Sequence, residues 1–265
     1  MSLQAITKRQ IIDAVNGFAP LSLQESWDNS GVQVGDIDSA CTGVLLCVDC
    51  TPVIIDEAIA RGCNLVISHH PLLFRGLKHI CPGNSLVEDT VIRAITAGIS
   101  VFASHTALDS ARGGISWHIA SMLGAEVESV LSPGHTEGTG LGVVARFAQP
   151  LSCTELAARI KDTFGSPVVR CSAPTPRPIS RIGICGGSGG EFIPAAISAG
   201  CQAYLCSDTR YHDFVDYGKR IFLTDIGHFE SEECAKQIFY NIISEFFPNF
   251  AVYKSESERN SINYL

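Results

Sequence analysis

Two adjacent imidazoles, His69 and His70, follow the apolar run Leu65-Val66-Ile67 after a single serine and precede Pro71. Such a run reads as a short buried strand, and Pro71 biases His70 toward extended backbone. The carboxyl ends of strands are where open α/β sheets bind ligands. Neutral imidazoles placed there suit a first-row divalent metal; the plain alternative is a pair of surface histidines in a loop. Two further runs repeat the arrangement. Ile99-Ser-Val-Phe-Ala103 leads into His105 and Asp109, and Ile221-Phe-Leu-Thr224 leads into Asp225, His228, Glu230 and Glu232. His228 and Glu232 are four apart, so one helical face would carry both. Asp225 and Glu230 also fit simple caps at a helix start. Recurrence at three strand ends favours metal ligation by His69, His70, Asp109, His228 and Glu232.

The elements that must position these residues alternate. A helix is predicted over 6–17, then strand 43–48, helix 52–62, strand 64–67, helix 86–98, strand 99–103 and helix 111–123. This order means a parallel sheet covered by helices. The segment 71–85, rich in Pro, Gly, Lys and Arg, is long for a connection and reads as a binding loop. Gly and Pro cluster near 131–139, where a boundary is expected. A second set follows, with strands near 140–147, 167–171, 180–185, 203–206, 221–224 and 250–254, and helices at 153–164, 191–199 and 230–246. The fold class is therefore α/β: two pseudo-repeated domains with mainly parallel sheets facing a shared metal-binding cleft. Residues 1–130 form the first half, with part of the C-terminal segment packing on it, and residues 131–265 form the second.

The repeat is visible in the residues. Ala58–Ile67 aligns without a gap to Ala196–Leu205; in both, a helix ends at Gly, Cys follows and a strand begins. His70 then falls opposite Asp208, and Val101–His105 lies against Ile221–Asp225. Glycine at a helix end is common, which is the plain alternative. The loop Gly186-Gly-Ser-Gly-Gly190 could cradle an anion with backbone N–H groups or be a tight turn needing positive φ; it matches neither a P-loop nor a dinucleotide fingerprint.

Bulk properties exclude several classes. With 265 residues, 46% hydrophobic and 17% charged, the chain builds a sizeable core and hints at burial between copies. A net charge of −8 without a long basic run disfavours nucleic acid, although Arg75 with Lys78 could hold a phosphate. No stretch approaches a membrane span, and the first residues lack a signal-peptide core. Eleven cysteines, an odd number, then read as reduced and buried in a cytoplasmic protein. Cys47-Val-Asp-Cys50 lacks the second pair of a zinc ribbon; Cys47 ends a strand and Cys50 precedes the helix start Thr51-Pro52, which leaves a redox role as the minor alternative.

Six motifs in order, Trp27-Asp-Asn-x-Gly31, His69-His-Pro71, His105-Thr-x-Leu-Asp109, Gly186–Gly190, Asp208-x-x-Tyr-His212 and Gly227-His-x-x-x-Glu232, cover nearly the whole chain. On these residues the chain resembles the Nif-three-like family, also described as GTP cyclohydrolase type-2-like dinuclear metal proteins. Ser207 stands where the family usually has Gly, and Ala107 where it often has Asn. The resemblance implies two α/β domains around two divalent ions per chain, zinc, iron or manganese, held by His69, His70, Asp109, His228 and Glu232. It places His105 near the metals and implies a homohexamer. The function expected is metal-dependent hydrolysis of a small phosphorylated, nucleotide or cyclic amide substrate, with His105 or His212 as acid or base. The alternative is a non-enzymatic oligomer that stores, delivers or senses metal.

Overall fold

The structure, a computed structural model, describes residues 5–265. Along the chain run α1 (Lys8–Phe18), β1 (Gly31–Val34), β2 (Val44–Cys47), α2 (Pro52–Ala60), β3 (Leu65–Ser68), α3 (Leu86–Ala97), β4 (Ser100–Ala103), α4 (Thr106–Ser110), α5 (Ile115–Met122), β5 (Ala125–Pro133) and β6 (Gly140–Leu151). They continue with α6 (Cys153–Phe164), β7 (Arg170–Cys171), β8 (Ile179–Ser188), α7 (Ile193–Ser198), β9 (Ala203–Ser207), α8 (Tyr211–Tyr217), β10 (Phe222–Asp225), α9 (His228–Glu232), α10 (Ala235–Phe246) and β11 (Val252–Lys254). Two compact units result. The first takes residues up to Leu108 together with Ala235–Arg259; the second takes Asp109–Cys234 with Asn260–Leu265.

The first unit carries a five-stranded sheet in the order β1-β4-β3-β2-β11. All its pairings are parallel except that of β1 with β4. Strands β2, β3 and β4 are buried at every position, which is why they read as continuous apolar runs rather than alternating ones. Leu45, Val66 and Val101 pack with Ile54, Ile55 and Val91 into one core. Registers align the strand ends: Cys47 pairs with Ser68, and Ser68 with Ala103. Two residues beyond that row come Asp49, His70 and His105.

The second unit carries a six-stranded sheet in the order β5-β6-β8-β9-β10-β7. Its centre, β8-β9-β10, is parallel, and its flanks are antiparallel. Val144, Ile193, Tyr204 and Leu223 belong to its core.

Each unit repeats one junction in detail. After α2, the N–H of Gly62 donates to Ile59 O and that of Cys63 to Ala58 O; after α7, Gly200 donates to Ile197 O and Cys201 to Ala196 O. Gly62 and Gly200 have φ of 70° and 75°. This left-handed stop closes the last turn with paired carbonyl acceptors, so the matched Gly-Cys pairs of the sequence mark the same built device.

Some expectations change. Residues 131–133 extend β5, and a tight loop returns the chain to β6, so the Gly/Pro cluster turns a hairpin. The helix expected at 230–246 is two helices, α9 and α10, interrupted at 233–234. The strand expected at 167–171 is only Arg170–Cys171. Strand β1 was not expected; at four residues, with Gly and Gln among them, it lacks an apolar run.

Candidate metal centre

In the first unit, the backbone ladder extends past β3 and β4 and delivers the imidazoles. His69 N–H donates to Cys47 O, His70 N–H to Val48 O, and Ser104 N–H to Ser68 O. One ring nitrogen from each of His69, His70 and His105 lies within 4.8 Å of the others. The ring centroids are 5.1 to 5.4 Å apart.

Each ring is fixed through Nδ1. His69 Nδ1 donates to the Ser104 carbonyl at 3.1 Å. His70 Nδ1 donates to Asp49 Oδ1 at 2.8 Å, and His105 Nδ1 to Asp28 Oδ1 at 2.9 Å. A carbonyl or carboxylate can only accept here, so the proton sits on Nδ1 and Nε2 carries the lone pair. This is the orientation of a metal-ligating histidine backed by an oxygen acceptor. Burial would raise the Asp28 carboxyl, but hydrogen bonds from His105, Thr106 and Ser30 outweigh it and hold the group far below the ordinary carboxylate range. Asp28 thus stays ionised as the acceptor.

A further row supports the anchors. Glu258 Oε1 accepts the backbone N–H groups of Val48 and Asp49 at 2.9 and 2.8 Å, and Lys236 Nζ lies 3.1 Å from Glu258 Oε2. The C-terminal segment thereby fixes the turn that presents Asp49 to His70.

The second unit repeats the scheme. His228 Nδ1 donates to Asp208 Oδ2 at 2.8 Å, and His228 Nε2 lies 2.9 Å from Glu232 Oε2 across one helical turn. Asp208 has φ of 54°, the one positive value among described non-glycine residues. Backbone held in that region marks a constrained site, and here it aims a carboxylate at an imidazole. Gly187 closes the other side: a Cβ there would stand 2.0 Å from Glu232 Oε1 and 3.5 Å from His228 Cε1. Its N–H donates to Ser231 Oγ, while Gly186 N–H donates to Ser116 Oγ. The glycine loop therefore serves close packing against Glu232, and two of its N–H groups are already engaged within the unit.

Asp109, on α4, is a partly buried carboxylate of this same unit. Burial, followed by the charges of Asp109 and Glu232, pushes the thiols of Cys185 and Cys234 well up. Neither thiol belongs to a metal-capable donor group among the described residues, so the candidate donors of the unit are imidazole and carboxylate. Asp225 holds the local backbone instead, accepting from Arg170, Thr209 N–H and Gly227 N–H. Glu230 accepts from Asn260.

His212 is exposed on α8, with its ring against Tyr211, and joins none of the donor groups found among the described residues. Cys47 is buried and its thiol raised, first by burial and then by Cys50. His79, Cys81 and Glu88 form a separate donor group, but the Glu88 carboxylate, in the first turn of α3, gathers the preceding loop: it accepts from Cys81 N–H, Asn84, Ser85 and His79.

Asp28 was legible only within a family motif, Asp208 there and through the internal repeat that sets it opposite His70, and Asp49 only as the inside of Cys-x-x-Cys. The signal for Asp49 was its place two residues past β2, level with His70 past β3.

A donor set of imidazole and carboxylate, with His69, His70, His105 and His228 each anchored through Nδ1, fits zinc, iron or manganese. The fold and these donors define an α/β protein whose strand ends gather residues that could hold a metal ion. Residues 6–261 match the family model described as Duf34/NIF3 (NGG1p interacting factor 3). The chain is 33% identical over 227 residues to a GTP cyclohydrolase 1 type 2 homolog of Clostridium acetobutylicum, covering 84% of each. It is 30% identical over 241 residues to NGG1-interacting factor 3 of Saccharomyces cerevisiae, covering 81% of this chain and 83% of that one. The crystal structure of Staphylococcus aureus protein SA1388 superposes with a TM-score of 0.91 at 27% identity, over 99% of this chain and all of that one. The chain belongs to the DUF34/NIF3 family.

Proposed function

We propose that this chain is a dinuclear divalent-metal protein acting as a metal-dependent hydrolase on a small phosphorylated, nucleotide or cyclic amide substrate. The ligands in this reading are His69, His70, Asp109, His228 and Glu232. One observation carries it: four imidazoles, His69, His70, His105 and His228, are each pinned through Nδ1 to an oxygen acceptor. His79 is anchored to Glu88 in the same way; what sets the others apart is convergence, since His69, His70 and His105 bring ring nitrogens within 4.8 Å of one another.

Divalent cations bound there would act as Lewis acids and make water acidic enough to supply hydroxide near neutral pH. The chain's own contributions follow from its geometry. Asp28, Asp49 and Asp208 hold the rings and keep the protons on Nδ1. Glu232 and Asp109 supply negative charge, which favours a dication over a monocation. His105 is the candidate for moving a proton at Nε2, ahead of His212, because Asp28 fixes its tautomer while His212 is exposed. The names of the bacterial relatives favour a nucleotide within the substrate class.

The test is elemental analysis of protein purified without added metal, followed by hydrolase screening of the reconstituted protein. Two ions per chain are expected, with loss of metal and retained fold on replacing any of the five ligands by alanine. Full occupancy in His228→Ala and Glu232→Ala would sink the ligand assignment. Hydrolysis lost with metal retained in His105→Gln makes His105 the base; metal lost makes it a ligand. Inactivity on every substrate, with metal passed to an apo-acceptor, would replace hydrolysis with metal delivery.

A further inference from the structure

A cavity of about 760 Å³ opens in the first unit beside the histidines, walled by Trp27, Phe74, Leu77, Ile80 and Ile95 over a floor that includes Val91. Its volume is that of a small-molecule site. It adjoins the imidazole cluster without being lined by the imidazoles themselves: Asp28, which holds His105, lines it. The rings of Trp27 and Phe74 stand edge-on to His105, with centroids 6.1 and 6.4 Å away. Both wall rings are open to solvent, Trp27 at 58% and Phe74 at 49%.

Three side-chain polar groups at its edge are engaged with neighbouring backbone. Asn29 Nδ2 donates to Leu73 O, Gln33 Nε2 to Asn29 O, and Gln33 Oε1 accepts from Leu73 N–H. These bonds tie the segment bearing Phe74 to β1, so the wall is formed in advance. Asp28 Oδ1 accepts from His105 and Asn29 N–H, and Oδ2 from Ser30 and Thr106. Arg75 and Lys78 do not line the cavity. With aromatic walls, no cation and its one acid saturated, the cavity repels phosphate and favours a flat, weakly polar ring.

We propose that this cavity is the subsite for the planar heteroaromatic ring of a substrate, with Trp27 and Phe74, set edge-to-face 6.1 Å apart, as the aromatic walls it packs against, and that the reacting bond of the same molecule lies toward His105. The inference rests on the hydrolase reading for the second half of that statement only. Ring binding stands on the cavity alone.

Trp27 is one of two tryptophans, so a Trp117→Phe protein reports on it by fluorescence. The probes are guanosine, adenosine and pterin as planar rings, tripolyphosphate as a charge without a ring, and 1-hexanol as an apolar molecule without a plane. Saturable quenching by a planar probe is expected, weakened about tenfold or more by Phe74→Ala, with unchanged circular dichroism and metal content. Absence of quenching by all three rings overturns the proposal, as does equal or stronger response to tripolyphosphate or 1-hexanol. A Phe74→Ala protein that changes oligomeric size without changing ring affinity assigns the groove to contact between copies and also overturns it. Metal content measured on the same samples separates the two readings: full metal without quenching removes the ring site alone, and quenching without metal removes the hydrolase alone.

Discussion

At the scale of single residues, the anchors behind the histidines decide more than the histidines themselves. An imidazole free to turn offers either nitrogen; one tied through Nδ1 offers Nε2 in a fixed place. Removing the charge and acceptor geometry of Asp28, Asp49 or Asp208 by Asn should weaken metal binding roughly 10–100-fold while the fold holds. Competition with a chelator measures this, and unaltered affinity in all three proteins would reduce the anchors to ordinary surface hydrogen bonds. The candidate ligands could be picked out because His, Asp and Glu recur after apolar strands. Two of the anchors surfaced only inside longer motifs. An aspartate past a strand end is unremarkable until the register sets Cys47 beside Ser68 and so Asp49 level with His70.

At the scale of elements, one contact in each unit ties distant chain segments together. Gly187, with φ of 64°, leaves no space for a side chain against Glu232. Gly187→Ala should cost about 1–3 kcal/mol in stability and displace the Glu232 carboxylate, lowering metal content. Normal metal content with a normal melting curve would show that the loop yields. The second contact is Glu57 on α2, which accepts from Ser255 Oγ and from the N–H groups of Glu256 and Ser257. Burial raises its carboxyl, but those donors and Arg61 prevail and hold it at about 2, below the ordinary 4.5. A depressed folded value stabilises the ionised form. This contribution is therefore complete above 4.5 and fades as pH falls toward 2. Glu57→Gln should lose roughly 1–3 kcal/mol at neutral pH, and the loss should shrink toward pH 2; urea titrations along that range check it. A constant loss would mean packing, not charge. Clamps of this kind escape sequence reading, since 198 residues separate Glu57 from Ser255. Helix ends did not escape it: Gly62-Cys63 and Gly200-Cys201 were visible because a left-handed stop leaves its own local signature.

At the scale of the molecule, the α/β class was legible from alternating apolar runs and amphipathic segments, whereas sheet membership was not. Strand β11 has three residues and joins β2 in the first sheet; only long-range pairing determines which edge so short a strand extends. Composition carries the remaining expectation. At 17% charge and with apolar side chains such as Val53, Ile59, Leu86 and Phe246 more than half exposed, the chain leaves surface that favours burial between copies. Closed symmetry is the usual way to bury such surface without open-ended growth. We expect a hexamer with two ions per chain, so light scattering should give six times 28.4 kDa, about 170 kDa, and elemental analysis of that peak twelve ions. A monomer at working concentration would break the expectation of assembly and leave the ligand set standing. A hexamer saturating at six ions would break the dinuclear reading instead. The mass and the metal ratio from one chromatographic peak therefore test assembly and site independently.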